Sequence, residues 1–404
     1  MSWYCPLPFT SLSSDTAGYY ALCCESTPSK HHCSNMSLKE FESSSYMTRV
    51  RQGFKSDDPT IIPEISEACH QCIQKEKQGA ISKRQRELLA WEKESEDYFL
   101  ELKLIGNICN QACRMCAPIS SSKIVEELNK LPGRKKIDIP RYYNLNEKWW
   151  KDFDEIAPEF NYFKFSGGEP FMSPTFNKIL KRLEEIGHTD VKIQVNTNGS
   201  ASGKKIEKIL NTFTDLNMCL SIDAWGKRNE IIRTHSNWKL TEKHLHEYWA
   251  LVHDRNNFSI SIHPCVSILN IGYLNEFEEF VEYFCSKKMQ FSVSNTLFTP
   301  EELNVYYLPM KLKEQYYNKQ RTFLENKKVL NAKSVINILT SPTNEGKHFP
   351  FNLKYLDGIR VVDNLWLQNP KRKKMNRNLG DTYPYLKIEN WQKWWPEFLE
   401  WYEK

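Results

Sequence analysis

Long hydrophobic runs are missing from the 404-residue sequence. No window approaches 18 uncharged apolar residues, which is the length that a membrane-spanning helix needs. The first residues also lack the basic and apolar stretches that direct export. The sequence therefore predicts a soluble, cytoplasmic protein with no membrane partner. Because cytoplasmic thiols stay reduced, the 12 cysteines favour metal binding or redox chemistry over a disulfide framework.

An excess of charge of either sign is missing as well. The 55 Lys and Arg residues face 50 Asp and Glu residues, which leaves a formal charge of +5, too little to indicate a polyanionic partner. Short basic runs at 134–136 and 371–374 are interpreted as solvated loops, so nucleic acid is disfavoured as a partner. Of the whole sequence, 40% is apolar, and only 15 residues are Gly and 19 are Pro. This composition excludes collagen-like and disordered proteins.

Short apolar runs alternate with helical patterns from about residue 98 onward. This alternation is typical of βα units around a parallel sheet. The expected strands are 98–105, 162–165, 191–195, 218–222, 258–268 and 290–293. The sequence therefore predicts an α/β fold with an open or partial (β/α)6 TIM-like barrel.

The rest of the chain does not follow this rhythm. We expect three parts: a cysteine-rich module over 1–95, the barrel over 96–298, and a helical, aromatic-rich C-terminal extension over 299–404. The tryptophans of the extension are interpreted as core residues first; they are Trp366, Trp391, Trp394, Trp395 and Trp401. The isolated Cys219, Cys265 and Cys285 are likewise interpreted as small core residues.

Cys109, Cys113 and Cys116 form a CxxxCxxC motif directly after the first expected strand. Three thiolates within eight residues can hold three irons of an iron-sulfur cube and leave the fourth iron open to a ligand. Zinc is the alternative, but it usually takes a fourth Cys or His ligand. The sequence between Cys72 and Gly187 contains no Cys or His besides these three.

This spacing resembles that of the radical S-adenosylmethionine (radical SAM) superfamily, and the resemblance continues at the ends of the following strands, where a (β/α) barrel binds its ligands. It implies that Cys109, Cys113 and Cys116 are the catalytic residues and hold a catalytic 4Fe-4S cluster. It further implies that S-adenosylmethionine binds the open iron and is cleaved to methionine and a 5'-deoxyadenosyl radical, which abstracts a hydrogen atom from a substrate.

The resemblance also implies a set of cofactor contacts. The segment Ser166-Gly167-Gly168-Glu169-Pro170 has the form of the family's GGEP motif, which holds the methionine ammonium. The other implied contacts are Met115, Asn196, Asn198, Ser221, Asp223, Arg233 and Asn270. Met115 departs from the family, which usually has an aromatic residue there. Asp223 as a helix N-cap and the asparagines as ordinary turn residues remain alternatives.

A second cysteine pattern precedes the barrel. Cys5, Gly18 and Cys23, followed by Cys69 and Cys72, resemble the auxiliary-cluster pattern of twitch and SPASM domains, where the glycine lies in a hairpin turn between cysteines. The resemblance implies a second, auxiliary 4Fe-4S cluster on these four cysteines. Its position before the barrel is similar to a permuted arrangement, as in phage-encoded twitch-domain radical SAM proteins.

Alternatives remain for this second pattern. A zinc site with four cysteine ligands is one of them. Cys24 is adjacent to Cys23 and could replace it, although the spacing from Gly18 favours Cys23, and Cys33 is a further candidate ligand. These choices stay open at the level of sequence.

The resemblance implies a peptide or protein substrate, because modules of this kind commonly serve enzymes that modify peptides. The auxiliary cluster would handle electrons, and a reductase or flavodoxin-type protein would be the electron donor. A small metabolite or nucleotide is the alternative substrate. An alternative of another class is a non-catalytic, zinc-stabilised protein that binds nucleic acid.

Overall fold

A computed structural model describes residues 3–77, 81–91, 98–103, 106–130, 135–297, 303–341 and 393–397. The helices are α1 (Leu7–Thr10), α2 (Leu38–Glu42), α3 (Ser45–Gly53), α4 (Pro63–Ala68), α5 (His70–Lys77), α6 (Lys83–Trp91), α7 (Ser122–Lys130), α8 (Glu147–Ile156), α9 (Pro174–Glu185), α10 (Gly203–Leu210), α11 (Gly226–Ile232), α12 (Trp238–Asp254), α13 (Glu278–Phe284), α14 (Met310–Leu324) and α15 (Ala332–Thr340). The strands are β1 (Ser11–Ser14), β2 (Tyr20–Ala21), β3 (Phe99–Leu102), β4 (Ala112–Cys113), β5 (Tyr162–Phe165), β6 (Lys192–Thr197), β7 (Asp215–Leu220), β8 (Arg233–Thr234), β9 (Phe258–Ile262), β10 (Cys265–Val266), β11 (Met289–Ser292), β12 (Asn295–Thr296) and β13 (Val329–Leu330). None of the helices in these ranges is long and apolar enough to span a membrane.

Nine strands form one central sheet in the order β13-β11-β9-β7-β6-β5-β3-β1-β2. Every neighbouring pair is parallel except β1 and β2. The chain is therefore mixed α/β with a mostly parallel central sheet, as the alternating pattern predicted. The six expected strands all contribute to it, as β3, β5, β6, β7, β9 and β11 in chain order.

Two strands differ from the expected bounds. The run 258–268 is divided, because β9 ends at Ile262 and Pro264, which has no N–H to donate to a ladder, precedes β10. Strand β10 pairs with β12 in a separate two-stranded sheet. Strand β7 begins at Asp215 rather than 218, since half-buried polar residues alternate there with buried apolar ones. The apolar run alone marked only its second half.

The amphipathic helices pack on the sheet through apolar residues that recur at helical spacing, as expected. In α9, Phe176, Ile179 and Leu183 recur at three and four residues and are fully buried. Ser173 caps this helix by accepting a hydrogen bond from the Phe176 N–H, and Pro174 supplies the preset φ of the first turn. Helix start and buried face are therefore both encoded locally.

The central sheet continues across both expected module boundaries. Strand β1 pairs with β3, so that Leu12 lies beside Leu100, and β13 extends the opposite edge through β11. Of the C-terminal tryptophans, Trp395 is buried and donates its indole N–H to the Leu269 carbonyl at 2.8 Å. Trp366, Trp391 and Trp401 lie outside the described residues.

Replacing Leu12 by Ala tests whether the N-terminal segment folds as part of the sheet. Leu12 is 2% exposed, so Leu12→Ala should lower the free energy of unfolding by about 2–5 kcal/mol. Because β1 belongs to the common sheet, a single denaturation transition should shift as a whole. Ile61→Ala, at a side chain 75% exposed, is the matched control and should cost no more than about 0.5 kcal/mol. A separate, early transition for the N-terminal segment would contradict this account.

Candidate active site

An open cavity of about 460 Å³ lies at the carboxyl ends of the parallel strands. This volume falls in the range of small-molecule binding sites. Eleven of the residues singled out in the sequence line it: Cys109, Cys113, Met115, Cys116, Ser166, Gly167, Gly168, Asn196, Asn198, Ser221 and Arg233. The fold thus brings residues from four successive strand ends to one place.

The cysteine loop, residues 109–116, is held on two sides. Cys113 lies in β4, which pairs with β8 so that Cys113 is opposite Arg233. On the other side, Ser122 Oγ accepts a hydrogen bond from the Cys109 N–H at 3.1 Å, and Ser121 Oγ donates to the Gln111 carbonyl at 2.6 Å. The strand pairing and the two serine side chains therefore fix the backbone of the loop that carries the three cysteines.

The three thiols are crowded and shielded. Cys113 is 8% exposed. Burial, and then the nearby Cys113 charge, raise the pKa of the Cys109 thiol to about 12. Thiolates in such surroundings need a positive partner, which a metal centre supplies.

A cation, Arg233, lies beside the thiols of the cysteine loop. Arg233 forms a buried ion pair with Asp223 at 2.7 Å, and its Nη1 donates to Cys113 Sγ at 3.6 Å. Burial alone would lower the pKa of Arg233, but Asp223 and Cys113 raise it overall. Arg233 therefore stays charged beside the sulfur atoms.

Asp223 and Asn270 do not line the cavity. Asp223 accepts a hydrogen bond from the Cys265 N–H at 2.7 Å, and Asn270 Nδ2 donates to the carbonyls of Asp223 and Cys265 at 2.8 and 3.0 Å. Asp223 therefore holds Arg233, and Asn270 holds the ends of the strands. Both lie behind residues that line the cavity, where the cofactor contact was expected.

Glu169 is also placed behind the cavity wall. Its carboxylate is fully buried and accepts hydrogen bonds from Thr197 Oγ1 at 2.7 Å, the Asn198 N–H at 2.8 Å and the Phe171 N–H at 3.3 Å. Burial raises its pKa, although these donors oppose the shift. The GGEP motif thus ties β5 to the end of β6 through Glu169, and the expected contact with an ammonium group finds no support in this placement.

The two glycines of the motif serve different purposes. Gly167 lines the cavity with φ at +133°, a conformation that favours glycine. A Cβ on Gly168 would lie 2.3 Å from the Ile108 carbonyl oxygen and 2.7 Å from the Asn107 carbonyl carbon. Gly168 is therefore required by the close approach of the backbone that leads into the cysteine loop.

The remaining wall is polar and incompletely satisfied. Asn198 Nδ2 donates to Asn110 Oδ1 at 2.8 Å, which ties the end of β6 to the cysteine loop. Ser166 Oγ is buried and has no hydrogen-bond partner within the described part of the chain. Because buried polar atoms are nearly always paired, this hydroxyl fits a ligand that occupies the cavity.

Sequence reasoning missed part of the lining. Gln111, Thr197 and Cys265 also face the cavity. Cys265 was expected to be a core thiol; instead it lies beyond the end of β9, near Cys113, and burial raises its pKa to about 12. Only its place at a strand end could have indicated this, because no local motif surrounds it.

The four N-terminal cysteines of the second pattern also meet. Cys5, Cys23, Cys69 and Cys72 line one cavity, which we call the N-terminal cysteine site. Gly18, with φ at +89°, lies in the turn between β1 and β2. The hairpin returns the chain after β2 toward the start of β1, as the glycine spacing predicted.

Cys24 and Cys33 are not part of this lining. Burial and Glu101 raise the pKa of Cys24, and Cys33 is buried beside Gly18. All cysteines are free thiols. Among the described residues, no three His, Cys, Asp or Glu side chains are arranged to hold a single metal ion; a cluster spreads its thiolates over several irons, so this finding concerns single-ion sites.

Residues 104–247 match the sequence profile of the Radical SAM superfamily. No curated protein matches the chain. Among solved structures, native anSMEcpe with bound AdoMet is 17% identical with a TM-score of 0.39, over 57% of this chain and 63% of that one. SuiB from Streptococcus suis, bound to precursor peptide SuiA, is 13% identical with a TM-score of 0.37, over 72% and 62%. The chain thus spans less than two thirds of the length of these two structures. TYW1 with a lysine-pyruvate adduct is 15% identical with a TM-score of 0.30, over 52% and 70%.

Replacing Gly168 by Val tests the close approach behind the cysteine loop. The branched side chain would collide with the backbone at Asn107 and Ile108, so Gly168→Val should displace the loop and cost about 1–3 kcal/mol of stability. Gly187→Asn is the matched control, since nothing lies within 4 Å of its Cβ and Asn tolerates a positive φ. Wild-type stability of Gly168→Val in thermal or chemical denaturation would contradict this role.

Proposed function

We propose that this chain, whose residues 104–247 match the sequence profile of the Radical SAM superfamily, is an iron-sulfur enzyme that cleaves S-adenosylmethionine reductively and abstracts a hydrogen atom from a peptide or protein. The observation that carries the proposal is the meeting of Cys109, Cys113 and Cys116 in one cavity with the GGEP strand end. In this proposal the parallel strands from β3 to β11 correspond to a partial (β/α)6 barrel.

The residues that line the cavity would hold either the cluster or the cofactor. Cys109, Cys113 and Cys116 would hold a 4Fe-4S cluster, which with bound S-adenosylmethionine supplies a 5'-deoxyadenosyl radical. The cofactor would contact the cavity-lining members of the predicted set: Met115, Ser166, Gly167, Gly168, Asn196, Asn198, Ser221 and Arg233. Ser166 Oγ is the strongest of these candidates, because it is buried and none of the residues that the structure describes forms a hydrogen bond with it.

Other residues would act by holding these contacts in place. Glu169 fixes Thr197 and Asn198, and Asp223 orients Arg233. Arg233 keeps a positive charge against the Cys113 sulfur, which favours the thiolate form that a cluster requires. Orientation of the cofactor, rather than proton transfer, is the task that this set of residues suits.

For the N-terminal cysteine site we propose an auxiliary 4Fe-4S cluster on Cys5, Cys23, Cys69 and Cys72. Four thiolates would occupy all four irons, so no position would be left for a substrate, and the cluster would transfer electrons. The module over 1–95 would then be of the twitch type, permuted as in phage-encoded relatives, with the barrel over 96–298 and an extension over 299–404.

The peptide or protein substrate rests on that module, because similar modules commonly serve peptide-modifying enzymes. A reductase or a flavodoxin-type protein in the cytoplasm would supply electrons. A small metabolite or nucleotide is the alternative substrate, since a fold does not choose between them. Anaerobic incubation with deuterated peptides, followed by detection of deuterium in 5'-deoxyadenosine, distinguishes these substrate classes.

Removing the cysteine ligands tests the proposed catalytic cluster. Replacing Cys109, Cys113 and Cys116 together by Ala should abolish production of 5'-deoxyadenosine, because no cysteine would remain to hold the cluster that binds the cofactor. Cys285→Ala removes a thiol outside both cavities and should leave production unchanged. Undiminished 5'-deoxyadenosine from the triple variant would refute the assignment.

Counting iron tests the proposed auxiliary cluster. After anaerobic reconstitution the wild type should bind about eight irons per chain, and a Cys69→Ala/Cys72→Ala variant about four. Cys24→Ala should keep about eight, since Cys24 does not line the site. Zinc in place of iron in the wild-type module would make it a structural site and remove the argument for a peptide substrate.

A further inference from the structure

Two cations lie against the N-terminal cysteine site. Lys83 and Arg84, in the first turn of α6, line the same cavity as Cys5, Cys23, Cys69 and Cys72. Their side chains are only 15% and 9% exposed. Trp3, Leu7, Pro8, Leu22 and Ala68 supply apolar walls, which reduce screening by water and strengthen the field of a nearby charge.

Arg84 is held in a fixed orientation. Its guanidinium donates to both carboxylate oxygens of Glu76, at 2.9 and 2.7 Å, and to the Tyr4 carbonyl at 2.7 Å. It also lies over the Trp3 ring, 4.8 Å from the ring centroid. Ser82 Oγ and the Trp3 indole N–H each donate a hydrogen bond to the Glu76 carboxylate. Arg84 therefore has more fixed partners than an exposed ion pair has, and these contacts keep its charge beside the thiols.

The other charges around the cavity do not cancel this arrangement. Lys83 pairs with Glu87 at 2.9 Å, and neither Glu87 nor Glu76 lines the cavity, so in both pairs the cation is the member that faces the thiols. Glu25 does line it, but pairs with two cations, Lys75 at 3.0 Å and Arg86 at 3.1 Å. Glu101 is a further charge that acts on Lys83, and it too lies outside the lining of the cavity.

Both cations share one cavity lining with the four thiols. In these apolar surroundings a fixed positive charge is poorly screened. Each cation therefore stabilises negative charge at the positions that would ligate iron.

We infer that Lys83 and Arg84 raise the reduction potential of the auxiliary cluster and so favour its role as an electron acceptor. The inference rests on the proposed function, in which these four cysteines hold that cluster. A cube with four thiolates carries about −2 when oxidised and about −3 after it gains one electron. Nearby cations stabilise the more negative state more strongly. The electron comes from the substrate radical, which is oxidised by one electron in the same step.

The test is a potentiometric titration of the anaerobically reconstituted full chain, followed by electron paramagnetic resonance. The auxiliary signal is identified by its absence from the Cys69→Ala/Cys72→Ala variant. Lys83→Gln and Arg84→Gln should each make reduction about tenfold less favourable, which for one electron is a potential lower by about 59 mV. Arg84→Lys keeps the charge and should restore most of the difference.

Lys181→Gln is the control, because Lys181 is 73% exposed and neither it nor its partner Glu185 lines the cavity; the potential of the auxiliary cluster in this variant should stay at the wild-type value. If Arg84→Gln loses iron because the hydrogen bonds around Glu76 are disrupted, the potential measured in Lys83→Gln tests the inference instead. An intact auxiliary cluster with an unchanged potential in Lys83→Gln would overturn this inference alone. Absence of a second cluster from the wild type would overturn the proposed auxiliary cluster as well.

Discussion

The close contact between Gly168 and the backbone at Asn107 and Ile108 sets the position of the cysteine loop. The Gly168 N–H donates to the Gly106 carbonyl at 3.2 Å, and the Glu169 N–H donates to the Ile108 carbonyl at 2.7 Å. No side chain fits between these two backbones. The end of β5 and the entrance to the loop therefore form one unit, and every other feature of the cavity is arranged around it.

Both cysteine sites place a cation against sulfur and a carboxylate behind the cation. At the cavity beside the cysteine loop, Arg233 faces Cys113 and is held by Asp223. At the N-terminal cysteine site, Arg84 lines the cavity and is held by Glu76. A buried cation without its carboxylate would be costly, and a carboxylate facing the thiols would oppose their ionisation. The order of charges thus suits sites that must carry negative sulfur in apolar surroundings.

The sequence predicted features that depend on local patterns. The six sheet strands follow from apolar runs, and the two groups of cysteines follow from their spacing. Strand β1, with the sequence Ser-Leu-Ser-Ser, and the two-residue β13 escaped prediction, because they are too polar or too short to differ from loops. Their pairing with β3 and β11 supplies the missing stabilisation, which no local pattern encodes.

The roles of single polar residues were harder to predict for a related reason. Glu169 belongs to a recognisable motif, but the orientation of its carboxylate depends on the N–H groups at the end of β6, 28 or 29 residues later. Cys265 faces the cavity because β9 lies beside β7 in the sheet. Such contacts arise from strand order, which a motif does not contain.

The strand order also separates the two cysteine sites. Strand β1 runs parallel to β3, and the antiparallel β2 returns the chain toward the beginning of β1. Cys5 and Cys23 therefore lie toward the amino end of this pair, whereas the cysteine loop follows the carboxyl end of β3. At about 3.3 Å per residue, the four residues of β3 alone extend about 13 Å. Within the described chain, no residue before Cys109 lines the cavity beside the cysteine loop. Among the described residues the two cysteine sites therefore have no lining residue in common.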